Sequence, residues 1–447
     1  MRAVLVGCAF VAGCGGSSGG APPITDGGGG GGSDGPPSNA TKIMFTLTDA
    51  PSDAVAFTFA AAYQDGNGAW QPVPARSGDT FTFDVSSATW GFAYTCQVNV
   101  RVANVTTTLR DVVEVHFAVA ERTALTQDVL ARCTDRVSYV ELSGNISNRA
   151  STGTYRVAYN GNSVFIDKTT GNYDMLVAPG THDLLVLHGS DRNTPGDFLV
   201  DDAIVQRNVA VNAAMTLNVA ANSATAMQTP SLTVAVTGAG GATSSETTTN
   251  LFTGNGTAVA VAQLTKAPLM STALASKQVA AGDVYDQRVT VEVVKNQAVT
   301  ATAATATPAN MSVAAPAALG ATTTTKAATT PYPMFTSSWP GYASAVGYMW
   351  TLAQTPPAAG CSGAAACTMT WTASISPGAV GATPSYTMPD LSPLPGWSTA
   401  LQLVTGTMAT GTVTAMTSTA GAQDFPPRSP TAGTKRVFAH STFTVTP

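Results

Sequence analysis

Charged residues are scarce in this 447-residue chain. Asp, Glu, Lys and Arg make up only 11% of it, against roughly 25% in an average soluble domain. The net charge is −5 and no run of Lys and Arg occurs, so the basic surface expected of a nucleic-acid-binding protein is missing. Beyond residue 14, no stretch of about 18 consecutive apolar residues predicts a transmembrane helix.

Catalytic motifs are also missing. The four histidines are His116, His182, His188 and His440. They form no His-Glu-x-x-His metal motif, and neither a phosphate loop nor a dinucleotide fingerprint occurs. Gly16 to Gly20 matches Gly-x-Ser-x-Gly, but a nucleophile elbow must join a strand to a helix, and this match lies in a glycine-rich segment. We therefore predict no catalytic residue, no metal site and no cofactor.

The residues that are abundant predict an all-β protein. Thr, Ala, Ser, Gly and Val fill the sequence, and this composition suits short strands and polar turns better than amphipathic helices. At about 150 residues per domain, the length predicts two to four domains. We expect tandem antiparallel β-sandwich domains behind a flexible, glycine-rich tether.

The first residues, "MRAVLVGCAFVAGCGGSSGG", combine a basic residue, a short apolar run and small residues before a cysteine. Such a segment is typical of an export signal. Val11-Ala12-Gly13-Cys14 resembles the lipobox of bacterial lipoproteins. The resemblance implies a signal peptide over residues 1–13, palmitate or a similar acyl chain on Cys14, and a lipid anchor in the bacterial envelope at the outer membrane or cell surface. Cys8 is an alternative lipidation site, and a simple secretory signal is an alternative for the whole segment.

Residues 14–40 are rich in Gly, Ser and Pro. A segment of this composition cannot bury apolar surface, so we predict a flexible tether.

Four further cysteines fit an exported protein, because disulfides persist in oxidising compartments. Three pairings are possible for Cys96, Cys133, Cys361 and Cys367. We favour Cys96 with Cys133 and Cys361 with Cys367, since each pair then lies within one predicted domain. A zinc site is the rival interpretation, but no Cys-x-x-Cys spacing supports it.

The first predicted domain covers residues 41–142. "KIMFTLT" and "DTFTFDV" alternate apolar and polar residues in the manner of half-buried strands. "QDGNGAW" between them predicts a tight turn, and "WGFAYTCQV" places Trp90, Phe92, Tyr94 and Cys96 on one strand face.

The second predicted domain covers residues 143–222. Its Thr170-Gly171-Asn172-Tyr173 precedes a strand and Pro179-Gly180-Thr181 follows it. This pattern resembles the carboxypeptidase-regulatory, transthyretin-like β-sandwich. The resemblance implies a non-catalytic packing module.

Three further regions follow. Residues 223–318 are predicted to be β-rich, with "SLTVAVTG" and "QRVTVEVV" as strands and a short helix in "LTKAPLMSTALASKQVA". Residues 319–330 are predicted to be a Thr/Ala linker, and residues 331–447 a C-terminal β-sandwich. This sandwich contains four of the six tryptophans, Trp339, Trp350, Trp371 and Trp397, which are candidate sugar-stacking residues if they are exposed.

These features predict a lipid-anchored, non-enzymatic envelope protein of β-sandwich binding or spacer modules. The membrane is its expected partner, with a polysaccharide or another envelope protein as a second. The first alternative is a carbohydrate-binding accessory lipoprotein, which requires exposed tryptophans. The second is a secreted hydrolase, which requires a cleft uniting His182 or His188 with nearby Asp and Ser side chains.

Overall fold

The computed structural model describes an all-β protein. The described residues are 40–48, 57–77, 80–101, 109–121, 128–132, 139–191, 197–222, 225–238, 244–357, 366–381, 383–395, 397, 402–425, 427 and 429–447. Helix within them is confined to α1 (Pro377–Val380) and a 3-10 turn (Ala422–Asp424), and no helix among these residues could cross a membrane. The predicted fold class is confirmed. The predicted signal peptide, Cys14 and nearly all of the tether lie outside the described residues.

The first unit, residues 40–132, consists of two sheets. Its strands are β1 (Thr41–Thr48), β2 (Phe57–Asp65), β3 (Gln71–Pro72), β4 (Ala75–Ser77), β5 (Thr80–Val85), β6 (Thr89–Arg101), β7 (Leu109–Glu121) and β8 (Asp128–Arg132). One sheet has the order β4-β5-β1-β8, and the other contains β3, β2, β6 and β7. The predicted alternation is confirmed, because Phe83 and Phe92 are buried and stack with their ring centroids 5.9 Å apart.

The second unit, residues 139–222, is a sandwich. Its strands are β9 (Val140–Ser147), β10 (Thr154–Tyr159), β11 (Asn162–Phe165), β12 (Asn172–Val177), β13 (Gly180–Asp191), β14 (Phe198–Val211), β15 (Met215–Thr216) and β16 (Val219–Ala220). The β9, β12, β15 and β16 sheet faces β10, β11, β13 and β14 across an apolar core that includes Leu142 and Val186.

The turn pattern predicted for the second unit is present. Gly171 has a φ of 81°, and a Cβ there would approach the Ile146 carbonyl oxygen to 2.7 Å. Glycine is therefore required at this turn. β12 begins at the next residue, and Tyr173 is buried in the core. The transthyretin-like relationship itself stays a prediction.

The third unit, residues 225–314, also has two sheets. Its strands are β17 (Met227–Gln228), β18 (Ser231–Thr237), β19 (Ser244–Phe252), β20 (Ala258–Leu264), β21 (Met270–Thr272), β22 (Val284–Val294), β23 (Gln297–Thr305) and β24 (Met311–Ala314). The two quoted strands are confirmed as β18 and β22. The short helix predicted between them is wrong, because Pro268 disfavours helix and Met270–Thr272 pairs with β18 instead.

The last unit, residues 319–447, encloses the largest aromatic core. Its strands are β25 (Thr323–Ala328), β26 (Met334–Ser338), β27 (Gly347–Gln354), β28 (Ala366–Ile375), β29 (Ser385–Thr387), β30 (Ala409–Ser418) and β31 (Lys435–Val445). β25, β26 and β29 form one sheet, and the others form the second. The predicted linker differs from the structure at residues 323–328, where β-branched threonines form β25 against β26.

Hydrogen bonds between strands continue from unit to unit. β14 pairs with β20 at Phe198 and Leu199, β23 pairs with β31, and β28 runs parallel to β7. The larger sheets of all four units are therefore connected into one sheet.

Candidate functional site

A buried ionic cluster lies between the second and third units. Arg207 Nη1 donates to Asp183 Oδ2 at 2.6 Å, and Arg207 Nη2 donates to Asp283 Oδ2 at 2.6 Å. Both aspartate side chains are fully buried, and the arginine side chain is 22% exposed. One cation thus binds two carboxylates from different units. We call Asp183, Arg207, Asp283, Asn255 and Gln278 the arginine joint.

The local backbone positions two of these groups. The register of β13 and β14 shifts between His182 and Leu184, and Asn208 opposite the shift has a φ of 58°. A bulge of this kind places two residues opposite one and re-aims their side chains, and Asn is among the residues that tolerate a positive φ best. The Asn208 amide then donates to Asp183 Oδ1 at 3.1 Å.

The remaining contacts of the carboxylates come from the third unit. Asn255 Nδ2 donates to Asp183 Oδ1 at 2.9 Å, while the Gly254 and Ala280 amides donate to the two oxygens of Asp283 at 3.1 and 3.0 Å. Arg207 Nη2 also donates to the Gln278 carbonyl oxygen at 2.6 Å. Every carboxylate oxygen has a donor, as buried charges require.

The electrostatics favour the charged forms. Burial by itself would raise the pKa of Asp183, but hydrogen bonds from Asn255, Arg207 and Asn208 outweigh it and hold that pKa below its ordinary value. Burial would likewise lower the pKa of Arg207, and the hydrogen bonds to Asp283 and Asp183 raise it instead. Both carboxylates are fully buried and have a donor on every oxygen, so neither is exposed to a substrate. The cluster is therefore a structural joint.

An apolar core lies across the same boundary. Residues of the second unit pack directly against residues of the third, and the set includes Leu185, Leu187, Phe198, Leu251, Val261 and Tyr285. Polar bonds at its edge add to the contact, because Asp197 accepts from the Thr265 amide at 3.0 Å and from its hydroxyl at 2.8 Å. The boundary between these units is packed like the interior of one domain.

His188 lies on β13 and forms a second ionic pair. Its Nδ1 is 2.8 Å from Asp202 Oδ2, its Nε2 is 2.9 Å from the Thr152 carbonyl oxygen, and its ring stacks on Tyr155 at 4.4 Å. The hydrogen bond with Asp202 raises the pKa of His188, and burial opposes it only in part. Because both ring nitrogens face acceptors, the doubly protonated imidazolium satisfies the site best.

This geometry contradicts the requirement of the hydrolase alternative. A catalytic histidine must offer one ring nitrogen to the nucleophile, yet Nε2 of His188 is bonded to a backbone carbonyl. Nδ1 of His182 is 2.8 Å from the Asn255 carbonyl oxygen, and Asp183 belongs to the arginine joint. The aspartates beside both histidines, Asp183 and Asp202, therefore take part in structural ion pairs, and the geometry gives the hydrolase alternative no support. Within the described residues, no group of three or more His, Cys, Asp and Glu side chains could hold a metal ion.

The candidate sugar-stacking tryptophans lie in the core of the last unit. Trp339, Trp350 and Trp371 are buried, and Trp350 Nε1 donates to Ser337 Oγ at 2.9 Å. Trp397 is half-buried and stacks on Tyr332 at 5.3 Å. The exposure that sugar stacking requires is therefore not met by these three rings, because large apolar rings gain more free energy in the core than at the surface.

The cysteine predictions stay untested. Cys133 and Cys361 lie outside the described residues. Cys96 and Cys367 lie on β6 and β28, at positions whose side chains are also outside the described set.

Sequence reasoning missed the arginine joint. Asp183 is followed by an apolar run in "THDLLVLH", and Arg207 lies in a short polar interruption of an apolar strand in "IVQRNVAV". A charged residue inside an apolar strand is rarely buried without a partner, which is the one sequence feature that could have indicated the joint. Asp283, which is 76 residues away from Arg207, had no such feature.

Comparisons with known proteins give only remote likenesses. No family model matches the chain, and no curated protein matches it. Among solved structures, a candidate adhesin from Bacteroides ovatus is 12% identical with a TM-score of 0.15, covering 40% of this chain and 94% of its own. A DUF3823 family protein from the same species is 16% identical with a TM-score of 0.13, covering 34% and 90%.

A streptococcal ancillary pilin is also similar, at 9% identity and a TM-score of 0.14, covering 62% of this chain and 98% of its own. At TM-scores of this size, neither a domain arrangement nor a function carries over to this chain.

Proposed function

We propose that the chain is a non-enzymatic, lipid-anchored protein of the bacterial cell envelope whose connected β-sandwich units act as a stiff spacer or display module. The observation that carries the proposal is the arginine joint. His188, a candidate for chemistry in the sequence analysis, and Asp183, which lies beside His182, both hold strands together. A buried, satisfied joint of this kind restricts the motion that separate domains otherwise show.

The anchor rests on the sequence of the first 14 residues. An apolar run, small residues and Cys14 precede the glycine-rich segment, in the order that a lipoprotein signal requires. More than one acyl chain is needed for lasting attachment at about 0.8 kcal/mol per buried methylene. The tether then gives the folded units distance from the membrane surface.

Metabolic labelling tests the anchor. Cells that express the full chain are grown with an alkyne analogue of palmitate, and we expect label on the wild type and none on Cys14→Ser. Cys8→Ser is the matched control and should keep the label. Label that persists in Cys14→Ser but disappears in Cys8→Ser would move the anchor to Cys8. Absence of label from the wild type and from both variants would contradict the lipoprotein proposal.

Calorimetry tests the spacer role. We expect the second and third units of the full chain to unfold in one transition, because the joint and the shared apolar core couple them. Two separate transitions for these units would contradict a stiff spacer even if the anchor experiment succeeds.

A further inference from the structure

A groove of about 310 Å³ lies between the first and last units. One wall is the hairpin of β2 and β3, which contributes Gln64 and Trp70. The other wall is formed by α1 and by the segment that begins at β29, with Ser385, Tyr386 and Thr387. The volume lies at the lower end of the range of about 300–1,000 Å³ that is typical of small-molecule sites.

The lining of the groove is uncharged. Among its ten residues, no side chain is Asp, Glu, Lys, Arg or His. Aromatic rings come from Trp70 and Tyr386, and hydrogen-bonding groups come from Gln64, Ser385 and Thr387. A charged ligand would lose its hydration here without gaining a partner of opposite charge, whereas a purely apolar ligand would leave the amide and hydroxyl groups unpaired.

Trp70 is the side chain best placed to contact a ligand. It is half-buried and packs against the core of the last unit. Its indole occupies the space over Gly91, where an added Cβ would approach Trp70 Cη2 to 2.9 Å. Four of the six tryptophans are buried, so Trp70 and Trp397 are the two that are only half-buried.

The polar side chains that line the groove are held in place by the fold. Gln64 Nε2 donates to the Gly68 carbonyl oxygen at 2.7 Å, which orients the amide within the turn between β2 and β3. The Thr387 hydroxyl is 2.9 Å from the Thr336 hydroxyl, and Ser385 is exposed on the same strand. Groups oriented in advance lose less conformational entropy when a ligand binds.

We infer that the groove between the first and last units binds a neutral saccharide, with Trp70 stacked on an apolar face of the sugar ring. A sugar ring carries C–H groups on its faces and hydroxyls around its edge. The lining offers an aromatic ring to the C–H groups and polar side chains to the hydroxyls. The Gln64 amide and the Ser385 and Thr387 hydroxyls bind the sugar hydroxyls. The inference goes beyond the spacer role and does not depend on it.

Titration of the purified full chain tests the inference. The probes are maltohexaose, cellohexaose and xylohexaose, with trigalacturonate as a charged probe of related chemistry. We expect at least one neutral probe to shift the tryptophan emission in a saturable manner and trigalacturonate to leave it unchanged. Trp70→Ala should weaken binding by at least about tenfold in calorimetric titration, which does not depend on the removed fluorophore, and its melting temperature is measured alongside because Trp70 also packs against the core.

Two further variants make the result specific. Gly91→Ala keeps the indole but forces it out of its place, so it should also weaken binding. Gln64→Ala should weaken binding, whereas Gln71→Ala, an exposed glutamine on the same hairpin outside the groove, should not.

The inference is overturned if no neutral probe binds at about 10 mM, if trigalacturonate binds as well as the neutral probes, or if Trp70→Ala binds like the wild type. If Trp70→Ala lowers the melting temperature, the inference is judged by the affinities of Gln64→Ala and Gln71→Ala. Equal affinity of these two variants for the neutral probes would also overturn the inference.

Discussion

The third unit is joined to its two neighbours in different ways. The arginine joint connects it to the second unit through buried side chains, while backbone pairing between these units consists of two short ladders of two residue pairs each. These are Phe198 and Leu199 with Gln263 and Ala262, and Asp202 and Ala203 with Gln228 and Met227. Its contact with the last unit is mainly a backbone ladder in which Gln297–Ala303 pairs with Lys435–Ser441, and Val299 of this ladder is buried in the core of the last unit. We call this second contact the ladder joint.

The difference concerns how each joint depends on sequence. Backbone N–H and C=O groups are present at every residue except proline, so the ladder joint tolerates many side chains. The arginine joint requires one guanidinium and two carboxylates, because removal of one partner leaves buried charge without compensation. Substitutions at the arginine joint should therefore cost much more stability than substitutions at the ladder joint.

Arg207→Met is the substitution with the largest expected effect. It leaves Asp183 and Asp283 buried without their cation, so we expect the free energy of unfolding to fall by about 3–5 kcal/mol. Urea unfolding of the full chain measures this loss. Amide hydrogen exchange should rise on both sides of the joint, in β14 and in β22.

Arg436→Met is the matched control for this prediction. Arg436 binds Asp424 through Nε at 2.7 Å and Nη2 at 2.6 Å, and both residues belong to the last unit. Its loss should also destabilise the protein, but faster exchange should be confined to β31 and the two strands that pair with it, β30 and β23. Increased exchange in β14 after Arg436→Met would contradict the idea that the arginine joint, and not Arg436, couples the second and third units. A decrease of less than about 1 kcal/mol in the free energy of unfolding after Arg207→Met would contradict it as well.

His188→Gln tests a pair on the same two strands as the arginine joint. The pKa of His188 is raised in the folded state, so its bond to Asp202 stabilises the protein fully below the ordinary pKa of 6.5 and loses this effect as pH rises through the raised value. We expect the variant to be less stable than wild type by about 1.5–3 kcal/mol near pH 6, and the difference to shrink toward alkaline pH.

The measurement compares the free energies of unfolding of wild type and His188→Gln at each pH. Burial lowers the pKa of His440 to about 4, so that residue makes stability fall as pH decreases below 6.5, with a slope opposite to that of His188. A difference between wild type and variant that stays constant from pH 5 to pH 9 would contradict the prediction.

Asn296→Ala tests the ladder joint and should have the smallest effect. Asn296 has a φ of 68° in the turn between β22 and β23, and its carbonyl oxygen accepts from the Thr442 amide at 2.9 Å. Alanine keeps that backbone bond but disfavours the left-handed conformation by about 1–2 kcal/mol. Urea unfolding should show this loss, and hydrogen exchange at Thr442 should stay slow.

Asn296→Gly is its control, because glycine adopts the left-handed conformation readily. We expect it to stay close to wild type in stability. An equal loss for glycine and for alanine would show that the asparagine side chain, which both variants lack, stabilises the turn rather than the backbone conformation.

The strands and their buried faces could be predicted because the relevant pattern is local. Alternation in "DTFTFDV" identifies β5, and Phe81, Phe83 and Val85 are all buried. Composition alone is a weaker guide. It predicts a linker at residues 323–328, but a β-branched segment forms a strand when a partner such as β26 is available.

The candidate site could not be predicted in the same way. The tryptophans of the last unit were singled out for their residue type, yet Trp350 and Trp371 are fully buried. The groove that we propose contains Trp70, which had no distinguishing pattern and lies more than 300 residues before Tyr386 in the chain. Residue type indicates what a side chain can do, while exposure depends on which segments pack over it.

The sequence by itself determined the all-β character of this protein, several of its strands and the glycine-requiring turn at Gly171, because side-chain alternation and backbone sterics act over a few residues. Only the tertiary structure decided that Arg207 meets Asp283, that β23 pairs with β31, and that Trp70 lies beside Tyr386. Backbone hydrogen bonds are the same for every sequence, so a local pattern cannot specify which distant strand or side chain will be the partner.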